Sequence, residues 1–338
     1  MTRKLTKLSF LVFGLLLLLA ACGGEENDTA TNATANDGAK ESAQTDEAKT
    51  FKIGTTQIVE HPSLDAAKEG FKKAIEDAGI KAEYVDKSAN GDNSTNMTIA
   101  QQLISDNVDL IFANSTPSAQ AAKGATADIP IIFTSVTDAV GAELIDSMAT
   151  PGANVTGTID LHPETMPKTM AFLKELGVKN VGMVYNAGEQ NSVAQISTAK
   201  ELAAKEGITI VEASASTSAE VKQATESLLG KVEAYYIITD NTVVNALESV
   251  IDVANANKLP LIVGELDSVA RGGLAAYGFN YYDIGYEAGQ MAAQILLEGK
   301  SPSEIPAAYP ANLKLVINKE TAENLGLEVK PEWEAEVQ

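Results

Sequence analysis

Side chains able to hold a small polar molecule are concentrated in the segments that follow apolar runs of this 338-residue chain. Hydroxyl, amide, imidazole and carboxylate groups predominate there, and proline and tyrosine could add flat apolar walls. The candidate binding residues are Gln57, His61, Ser115, Thr116, Pro117, Ser118, Ser135, Tyr185, Asn186, Glu189, Asn191, Ser192, Asp240, Asn241, Glu265 and Tyr277. Hydrogen bonding and charge pairing are the chemistry that this set offers.

Two of these segments lead into predicted helices and could bind an anion. Ser115-Thr116-Pro117-Ser118 places proline near a first helical turn, and Asn191-Ser192 begins a second helix. Backbone N–H groups at a helix start lack intrahelical partners, so a carboxylate or phosphate could bind there beside the hydroxyls. Ordinary helix capping is the stronger explanation for either segment alone. The binding interpretation depends on both segments facing one cleft.

Asp240 is the clearest candidate for binding a cation. It follows the apolar segment Tyr235-Tyr236-Ile237-Ile238, and Glu189 and Glu265 occupy comparable positions. A carboxylate there could pair with a ligand ammonium group, because charge-assisted hydrogen bonds are the stronger ones. It could equally cap a helix that starts near Asn241. If Asp240 binds the ammonium group, Asp240→Ala should abolish binding and leave the fold intact.

Composition and motifs argue against catalysis and nucleic-acid binding. The chain has two histidines, His61 and His162, and lacks a GxSxG elbow, a P-loop and clustered metal ligands. We therefore expect a protein that is not an enzyme and carries neither a metal nor a cofactor. Its formal charge of −21 should make it repel nucleic acid phosphates.

The elements that must position these residues alternate along the chain. Val- and Ile-rich runs predict strands at residues 51–55, 82–86, 108–113, 129–134, 180–185, 208–212, 234–239, 259–264 and 313–317. Helical periodicity predicts helices at residues 64–78, 192–205, 221–229 and 284–297. Apolar strands separated by amphipathic helices are typical of parallel sheets covered on both faces. Ligands of such sheets bind beyond the carboxyl ends of the strands, where the candidate residues lie.

The chain also repeats itself. Lys52-Ile53-Gly54 and Asn180-Val181-Gly182 each open a strand, and Ile129-Pro130-Ile131-Ile132 resembles Leu259-Pro260-Leu261-Ile262 later in the same order. These matches predict an α/β protein with two doubly wound lobes of one design. The candidate loops of the two lobes would then face each other across a cleft.

The N-terminal segment has the pattern of a secretory signal. Arg3, Lys4 and Lys7 precede a short apolar run, and Leu19-Ala20-Ala21-Cys22 resembles the bacterial lipobox. Cys22 is the single cysteine of the chain, so no intramolecular disulfide can form. We predict a signal peptide over residues 1–21, a lipid on Cys22, and a disordered tether over residues 22–49, which are poor in apolar side chains.

Several segments resemble the signature segments of a bacterial ABC transporter substrate-binding family that includes tryptophan-type and other aromatic amino acid binders. They are residues 57–64, 114–120, 185–192, 240–242 and 278–282. The resemblance implies an extracytoplasmic, lipid-anchored monomer that captures a free amino acid for an ABC permease. It further implies that Ser115, Thr116, Ser118, Asn191 and Ser192 bind the ligand carboxylate and that Asp240 binds its ammonium group.

The order of elements also resembles the type I periplasmic-binding fold, in which the chain crosses between the lobes three times. We place these hinge crossings near residues 158–162, 277–280 and 307–312, where Gly157 and Gly278 could absorb backbone changes. One lobe would then comprise residues 50–158 and 279–308, and the other residues 159–278 and 309–338. The same fold could bind a sugar, nucleoside or signalling molecule, although the single tryptophan, Trp333, lies in the tail and disfavours a sugar.

Overall fold

A computed structural model describes residues 49–338 of the chain. The predicted signal peptide, Cys22 and nearly all of the predicted tether lie outside the described residues. None of the helices within 49–338 is both long and apolar enough to cross a membrane.

The first sheet contains five parallel strands in the order β2-β1-β3-β4-β5. They are β1 (Thr50–Gln57), β2 (Lys81–Ser88), β3 (Leu110–Asn114), β4 (Ile131–Val136) and β5 (Val155–Ile159). Every residue of β3, β4 and β5 is buried, as expected for apolar strands with helices on both faces. All five strands end at the same edge of the sheet.

The second sheet contains seven strands in the order β7-β6-β8-β9-β10-β11-β12. They are β6 (Asn180–Tyr185), β7 (Thr209–Ser214), β8 (Ala234–Ile237), β9 (Leu261–Val263), β10 (Ala275–Gly278), β11 (Lys314–Ile317) and β12 (Glu336–Val337). The pairing is parallel except between β10 and β11, which are antiparallel. The prediction of parallel sheets is confirmed with this one exception, which arises because the chain leaves the sheet after β10 and re-enters from the opposite end.

Eleven α-helices and three short 3₁₀ segments connect the strands of the described part. The helices are α1 (Pro62–Asp77), α2 (Asn93–Ser105), α3 (Thr116–Ala125), α4 (Thr165–Glu175), α5 (Gln190–Glu206), α6 (Val221–Glu226), α7 (Asn241–Asn245), α8 (Leu247–Ala256), α9 (Leu266–Ala270), α10 (Tyr281–Glu298) and α11 (Lys319–Leu325). The 3₁₀ segments are Ser218–Glu220, Pro302–Glu304 and Pro331–Trp333.

Each sheet has an apolar core on both faces. In the first lobe, Phe71 of α1 and Ala288 of α10 pack on one face, whereas Leu103 of α2 and Ala122 of α3 pack on the other. In the second lobe, α4 and α5 cover one face and α6 and α8 cover the other. The predicted doubly wound α/β architecture with two lobes is therefore confirmed.

Helix α10 follows the second sheet in sequence but packs against α1 of the first lobe. The two helices cross closely because glycines line their contact: a Cβ at Gly285 would collide with the backbone carbonyl of Ala67, and one at Gly289 would lie 2.6 Å from the carbonyl oxygen of Phe71. The chain thus passes between the sheets after β5, after β10 and before β11.

Strands β5, β10 and β12 were not predicted, since they are short or interrupted by glycine. Gly157, predicted to serve a hinge, lies inside β5, where its missing Cβ makes room for the backbone of Phe133. Gly278 is the last residue of β10. The close approach of the Phe133 backbone is therefore sufficient to explain why residue 157 is a glycine.

Candidate functional site

A cavity lies between the two lobes at the carboxyl ends of their strands. The free space between its lining atoms, including any that is open to solvent, is about 270 Å³. Its lining residues come from both sheets and from two of the connections between them: His61, Leu64, Ser135, Asp160, Asn191, Thr239, Asp240, Asn241, Val244, Glu265 and Tyr281. Three of these side chains are carboxylates, and no lysine or arginine of residues 49–338 lines the cavity. The cavity is therefore suited to a ligand that carries a positive charge.

Buried polar atoms without a partner cluster around this cavity. His61 Nδ1, Ser135 Oγ and Asn191 Oδ1 line it and have no hydrogen-bond partner within the described chain. Thr56 Oγ1 and Thr116 Oγ1, at the same edge of the first sheet, are also buried and unpaired there. Since nearly all buried polar groups in proteins are hydrogen-bonded, such a concentration indicates a surface that a polar ligand can bind.

The first-lobe rim also holds unusual backbone geometry. Ser115, which precedes α3, has φ 108°, and Ser135, near the end of β4, has φ 55°. Positive φ is costly for residues other than glycine, and such conformations cluster at binding sites. Ser115 Oγ lies 3.2 Å from Ser118 Oγ, and the Ser118 hydroxyl donates to Asn96 Oδ1 at 3.2 Å. Ser118 is therefore engaged within the protein, whereas Thr116 and Ser135 remain free for a ligand.

Asp240 is held at the start of α7 by three donors. The Val243 N–H donates to Oδ1 at 2.8 Å, and the Asn186 N–H and Ser192 hydroxyl donate to Oδ2 at 2.6 Å each. Burial, followed by the nearby charge of Glu189, raises the pKa of Asp240 to about 7. The structure thus assigns Asp240 the capping role that the sequence left open, although the residue also lines the cavity.

The carboxylate of Glu189 accepts more hydrogen bonds than that of Asp240. It accepts hydrogen bonds from the backbone and side chain of Asn241, from the backbone and hydroxyl of Thr242, and from the Asn191 amide. These bonds tie the start of α5 to the start of α7. Glu189 therefore serves the second lobe as a structural link and has little capacity left for a ligand.

The two carboxylates explain why the start of α5 does not suit a ligand carboxylate. The Ser192 hydroxyl donates to Asp240, and the Asn191 amide lies 3.3 Å from Glu189 Oε2 and 3.2 Å from the Thr239 carbonyl oxygen. A ligand carboxylate placed there would meet two anions. The structure does not support the anion-binding role suggested for Asn191 and Ser192.

Asp160 and Glu265 are the cavity acids with the most unused capacity. Asp160 accepts hydrogen bonds from the Thr137 hydroxyl at 3.0 Å and the Tyr281 hydroxyl at 2.8 Å. Glu265 Oε1 accepts one from Ser268 at 2.6 Å, and its side chain does not cap α9. Burial raises the pKa of both acids, to about 6 for Asp160. A cation between them would relieve this cost, because opposite charge stabilises the ionised form.

His61 is neutral at physiological pH. Burial, reinforced by the charge of Arg271, lowers the pKa of His61 to about 4. A neutral imidazole offers one donor and one acceptor nitrogen. His61 can therefore exchange a hydrogen bond with a ligand without adding a positive charge to the cavity.

The lobes also contact each other directly on either side of the cavity. The Ser63 hydroxyl of the first lobe donates to Asp267 Oδ2 of the second at 2.8 Å. On the other side, Gln195 Nε2 of α5 lies 3.4 Å from Thr137 Oγ1 of the first lobe. These two bonds join the lobes across the cleft.

Comparison with known proteins agrees with this architecture. The family model for ABC transporter substrate binding proteins matches residues 52–335. The chain belongs to this family. Substrate-binding proteins of this kind are extracytoplasmic and bind a solute without catalysis, so this substrate-binding protein is not an enzyme.

Individual relatives cover almost the whole chain. The tyrosine-binding protein of Clostridioides difficile strain R20291 is 42% identical over 329 residues, which is 95% of this chain and 92% of that one. A Streptococcus pneumoniae ABC domain in complex with L-Trp is 30% identical with a TM-score of 0.82, covering 86% of this chain and 100% of that one. The solved structure of the L-Trp complex agrees with the type I periplasmic-binding fold.

A third relative identifies the conformation of the substrate-binding protein. A Clostridium difficile substrate-binding protein with adhesive properties, solved in its ligand-free, open form, is 41% identical over 85% of this chain and 99% of that one. Its TM-score is only 0.64, below that of the less similar L-Trp complex. Lower shape similarity at higher identity fits a hinge difference, and the interlobe bonds show that the present structure is closed.

Some predicted site residues lie away from the cavity. Tyr277 packs edge-on against Phe172 in the core of the second lobe, and the Tyr185 ring lies in the same core with Glu212 near its hydroxyl. Alternate side chains of a strand point to opposite faces, and both tyrosines point towards a helix-covered face of their sheet. The predicted role of these two residues as ligand walls is therefore not supported.

Other predicted residues support the site without lining it. Gln57 donates to the Val59 carbonyl and to Asp65, which fixes the loop before α1. Asn186 donates from its backbone to Asp240 and from its side chain to Thr242. Pro117 lies in the first turn of α3.

Five cavity residues were not among the predicted site residues: Leu64, Asp160, Thr239, Val244 and Tyr281. Asp160 and Tyr281 lie in or beside two of the predicted crossings. Both could have been predicted, because a segment that crosses between two lobes lies beside the cleft, and a polar residue in such a segment can therefore reach the ligand. Thr239 ends a predicted strand directly before Asp240, and Val244 lies in α7 just after it.

Proposed function

We propose that this substrate-binding protein captures an aromatic amino acid and delivers it to an ABC importer. The observation that carries the proposal is the cavity between the lobes, where acids and unpaired polar atoms surround a closed space without a lysine or arginine of residues 49–338. An α-amino acid supplies the ammonium group that these acids need. The names of the tyrosine-binding relative and of the L-Trp complex support the same ligand class.

The ligand ammonium group would lie between Glu265 and Asp160, which have more free acceptor capacity than Asp240 or Glu189. The ligand carboxylate would face the first-lobe rim, where Thr116 and Ser135 have unpaired hydroxyls and α3 begins. A helix start with free N–H groups attracts an anion. The side chain of the ligand would contact Leu64, Val244 and the ring of Tyr281, the apolar part of the lining.

A neutral sugar fits this cavity less well. It would leave three buried carboxylates without a cation, and neither Trp nor Phe of the described chain lines the cavity for stacking on a sugar ring.

The protein would act as a monomer, with residues 50–158 and 279–308 closing on residues 159–278 and 309–338 around the ligand.

Calorimetric titration tests the ligand class directly. We expect L-tyrosine and L-tryptophan to bind, whereas 3-(4-hydroxyphenyl)propionate, which lacks the ammonium group, should bind at least about 30-fold more weakly because the acids lose their partner. Small-angle scattering should show a smaller radius of gyration with the ligand than without it. Binding of a monosaccharide or nucleoside, with none of the amino acids bound, would refute the proposal.

We also propose that Cys22 carries the lipid that anchors this protein to the outer face of the cytoplasmic membrane. The support is the lipobox-like Leu19-Ala20-Ala21-Cys22 after a basic and an apolar segment. In a bacterial host, Cys22→Ser should remain unprocessed or appear in the medium, as measured by membrane fractionation and intact mass. A membrane-bound Cys22→Ser protein of normal processed mass would contradict lipidation. Ser42→Ala, in the same segment, is the control.

A further inference from the structure

We infer that Gln195 and Thr137 form a partition that limits the size of the ligand, an inference that builds on the proposed amino acid binding. The cavity is not the largest space between the lobes. A groove of about 660 Å³ lies beside it, lined by the loop after β4, the crossing after β5, helix α5 and Tyr309. Most of its lining is apolar, including Val140, Met148, Leu161 and Pro163.

Cavity and groove are separated by a layer one side chain thick. Thr137 and Gln195 line the groove, whereas Asp160 and Thr239 line the cavity. The four are joined in a row: Thr137 donates to Asp160 at 3.0 Å, Gln195 lies 3.4 Å from Thr137, and Gln195 donates to Thr239 at 2.9 Å. Each member of the row therefore has a neighbour on the other side of the partition.

Adjacent parts of the chain face opposite sides of this layer. Ile159 lines the groove and Asp160 the cavity, and on α5 Asn191 lines the cavity whereas Ala194 and Gln195 line the groove. Thr137 joins the partition across the lobes: it donates to Asp160 at 3.0 Å, and its contact with Gln195, at 3.4 Å, is a weak hydrogen bond. The side chains of Gln195 and Thr137 are buried, at 2% and 4% exposure.

This arrangement makes Gln195 a specificity-determining residue. With the partition closed, the ligand is confined to the cavity. Without the Gln195 side chain, the cavity would open into the apolar groove. A ligand extended by an apolar group, either at its side chain or through a peptide bond to its amino nitrogen, could then reach into the groove.

The test compares two substitutions that remove the same hydrogen bonds. Gln195→Ala removes the bonds and the volume, whereas Gln195→Leu removes the bonds and keeps most of the volume. Binding of L-tyrosine, O-benzyl-L-tyrosine and L-leucyl-L-tyrosine is measured by calorimetry. We expect Gln195→Ala to gain at least about tenfold affinity for one extended ligand relative to L-tyrosine, a change of about 1.4 kcal/mol, and Gln195→Leu to keep the wild-type ranking.

Two outcomes would overturn the partition: an unchanged ranking in Gln195→Ala, or an equal gain in Gln195→Leu. Should Gln195→Ala fail to fold, Thr137→Ala opens the same passage from the other lobe and must show the gain. Failure of the proposed function is distinguishable, since wild-type protein would then bind no aromatic amino acid at all.

Discussion

Glu265→Gln should weaken the binding of an aromatic amino acid by about 30-fold or more, as measured by calorimetry at pH 7. Glu265 is 2% exposed at the cavity wall; its carboxylate accepts from Ser268 at 2.6 Å, and the hydroxyl of Ser63, which donates to Asp267, also acts to lower the pKa of Glu265. A ligand ammonium group would therefore find an acceptor there that is charged and not saturated. Removing one partner of a buried charge pair costs about 2–5 kcal/mol, and about 1.4 kcal/mol corresponds to a factor of ten in affinity.

The substitution separates charge from shape. Glutamine keeps an oxygen that can accept from Ser268, so the start of α9 and the thermal stability of the ligand-free protein should change little. Asp160→Asn should weaken binding less, because Asp160 already accepts from Thr137 and Tyr281. Glu201→Gln, on the exposed side of α5, is the matched control and should bind as the wild type does.

Two results would contradict this assignment. Wild-type affinity in Glu265→Gln would show that another acid binds the ammonium group. An equal loss for L-tyrosine and for 3-(4-hydroxyphenyl)propionate would show that Glu265 acts through the shape of the cavity. In either case Asp160, Glu189 and Asp240 would again be the candidates.

The architecture was predictable because it depends on patterns that extend over many residues. Continuous apolar strands and the repeat that begins at Lys52 and Asn180 indicated two similar α/β lobes. The location of the site followed from the rule that ligands bind beyond the carboxyl ends of parallel strands. Of the predicted site residues, His61, Ser135, Asn191, Asp240, Asn241 and Glu265 line the cavity in the structure.

The division of roles among those residues was not predictable. Whether a carboxylate binds a ligand or the protein itself depends on which donors reach it, and these come from distant segments. Ser192 is 48 positions from Asp240, and Asn241 is 52 positions from Glu189. The sequence favoured Asp240 and placed Glu189 and Glu265 at comparable positions, and only the hydrogen bonds distinguish the saturated acids, Asp240 and Glu189, from Glu265.

This distinction changes the expected behaviour of Asp240. From the sequence, Asp240→Ala was expected to abolish binding and leave the fold intact. The structure shows that the substitution removes the cap of α7 and leaves the buried Asn186 N–H and Ser192 hydroxyl without an acceptor. A lost N-cap costs about 1 kcal/mol and an unpaired buried donor about 1–3 kcal/mol. We therefore expect Asp240→Ala to lower the free energy of unfolding by about 3–7 kcal/mol in total.

Denaturant unfolding of the ligand-free protein measures this loss. Trp333, the single tryptophan, is buried against Phe172 in the same lobe, so its fluorescence reports the unfolding of that lobe. Asp240→Asn should be less damaging than Asp240→Ala, because the amide oxygen can still accept from Val243. Asp252→Asn, on the exposed side of α8, is the control and should leave the free energy of unfolding unchanged.

The pH dependence supplies a second signature of Asp240. Burial, with the charge of Glu189, raises its pKa to about 7, above the ordinary value of 3.8 that an unfolded chain would have. A group whose pKa is raised by folding stabilises the fold fully below its unfolded pKa, and that contribution is lost as the pH rises through the folded pKa. The free energy of unfolding of the wild type should therefore fall between pH 4 and pH 7. Asp240→Asn has no titrating group at this position, so its free energy of unfolding should fall less over the same range. If Asp240→Ala instead unfolds as the wild type does and fails to bind amino acids, Asp240 binds the ligand ammonium group and its bonds to Asn186, Ser192 and Val243 are dispensable.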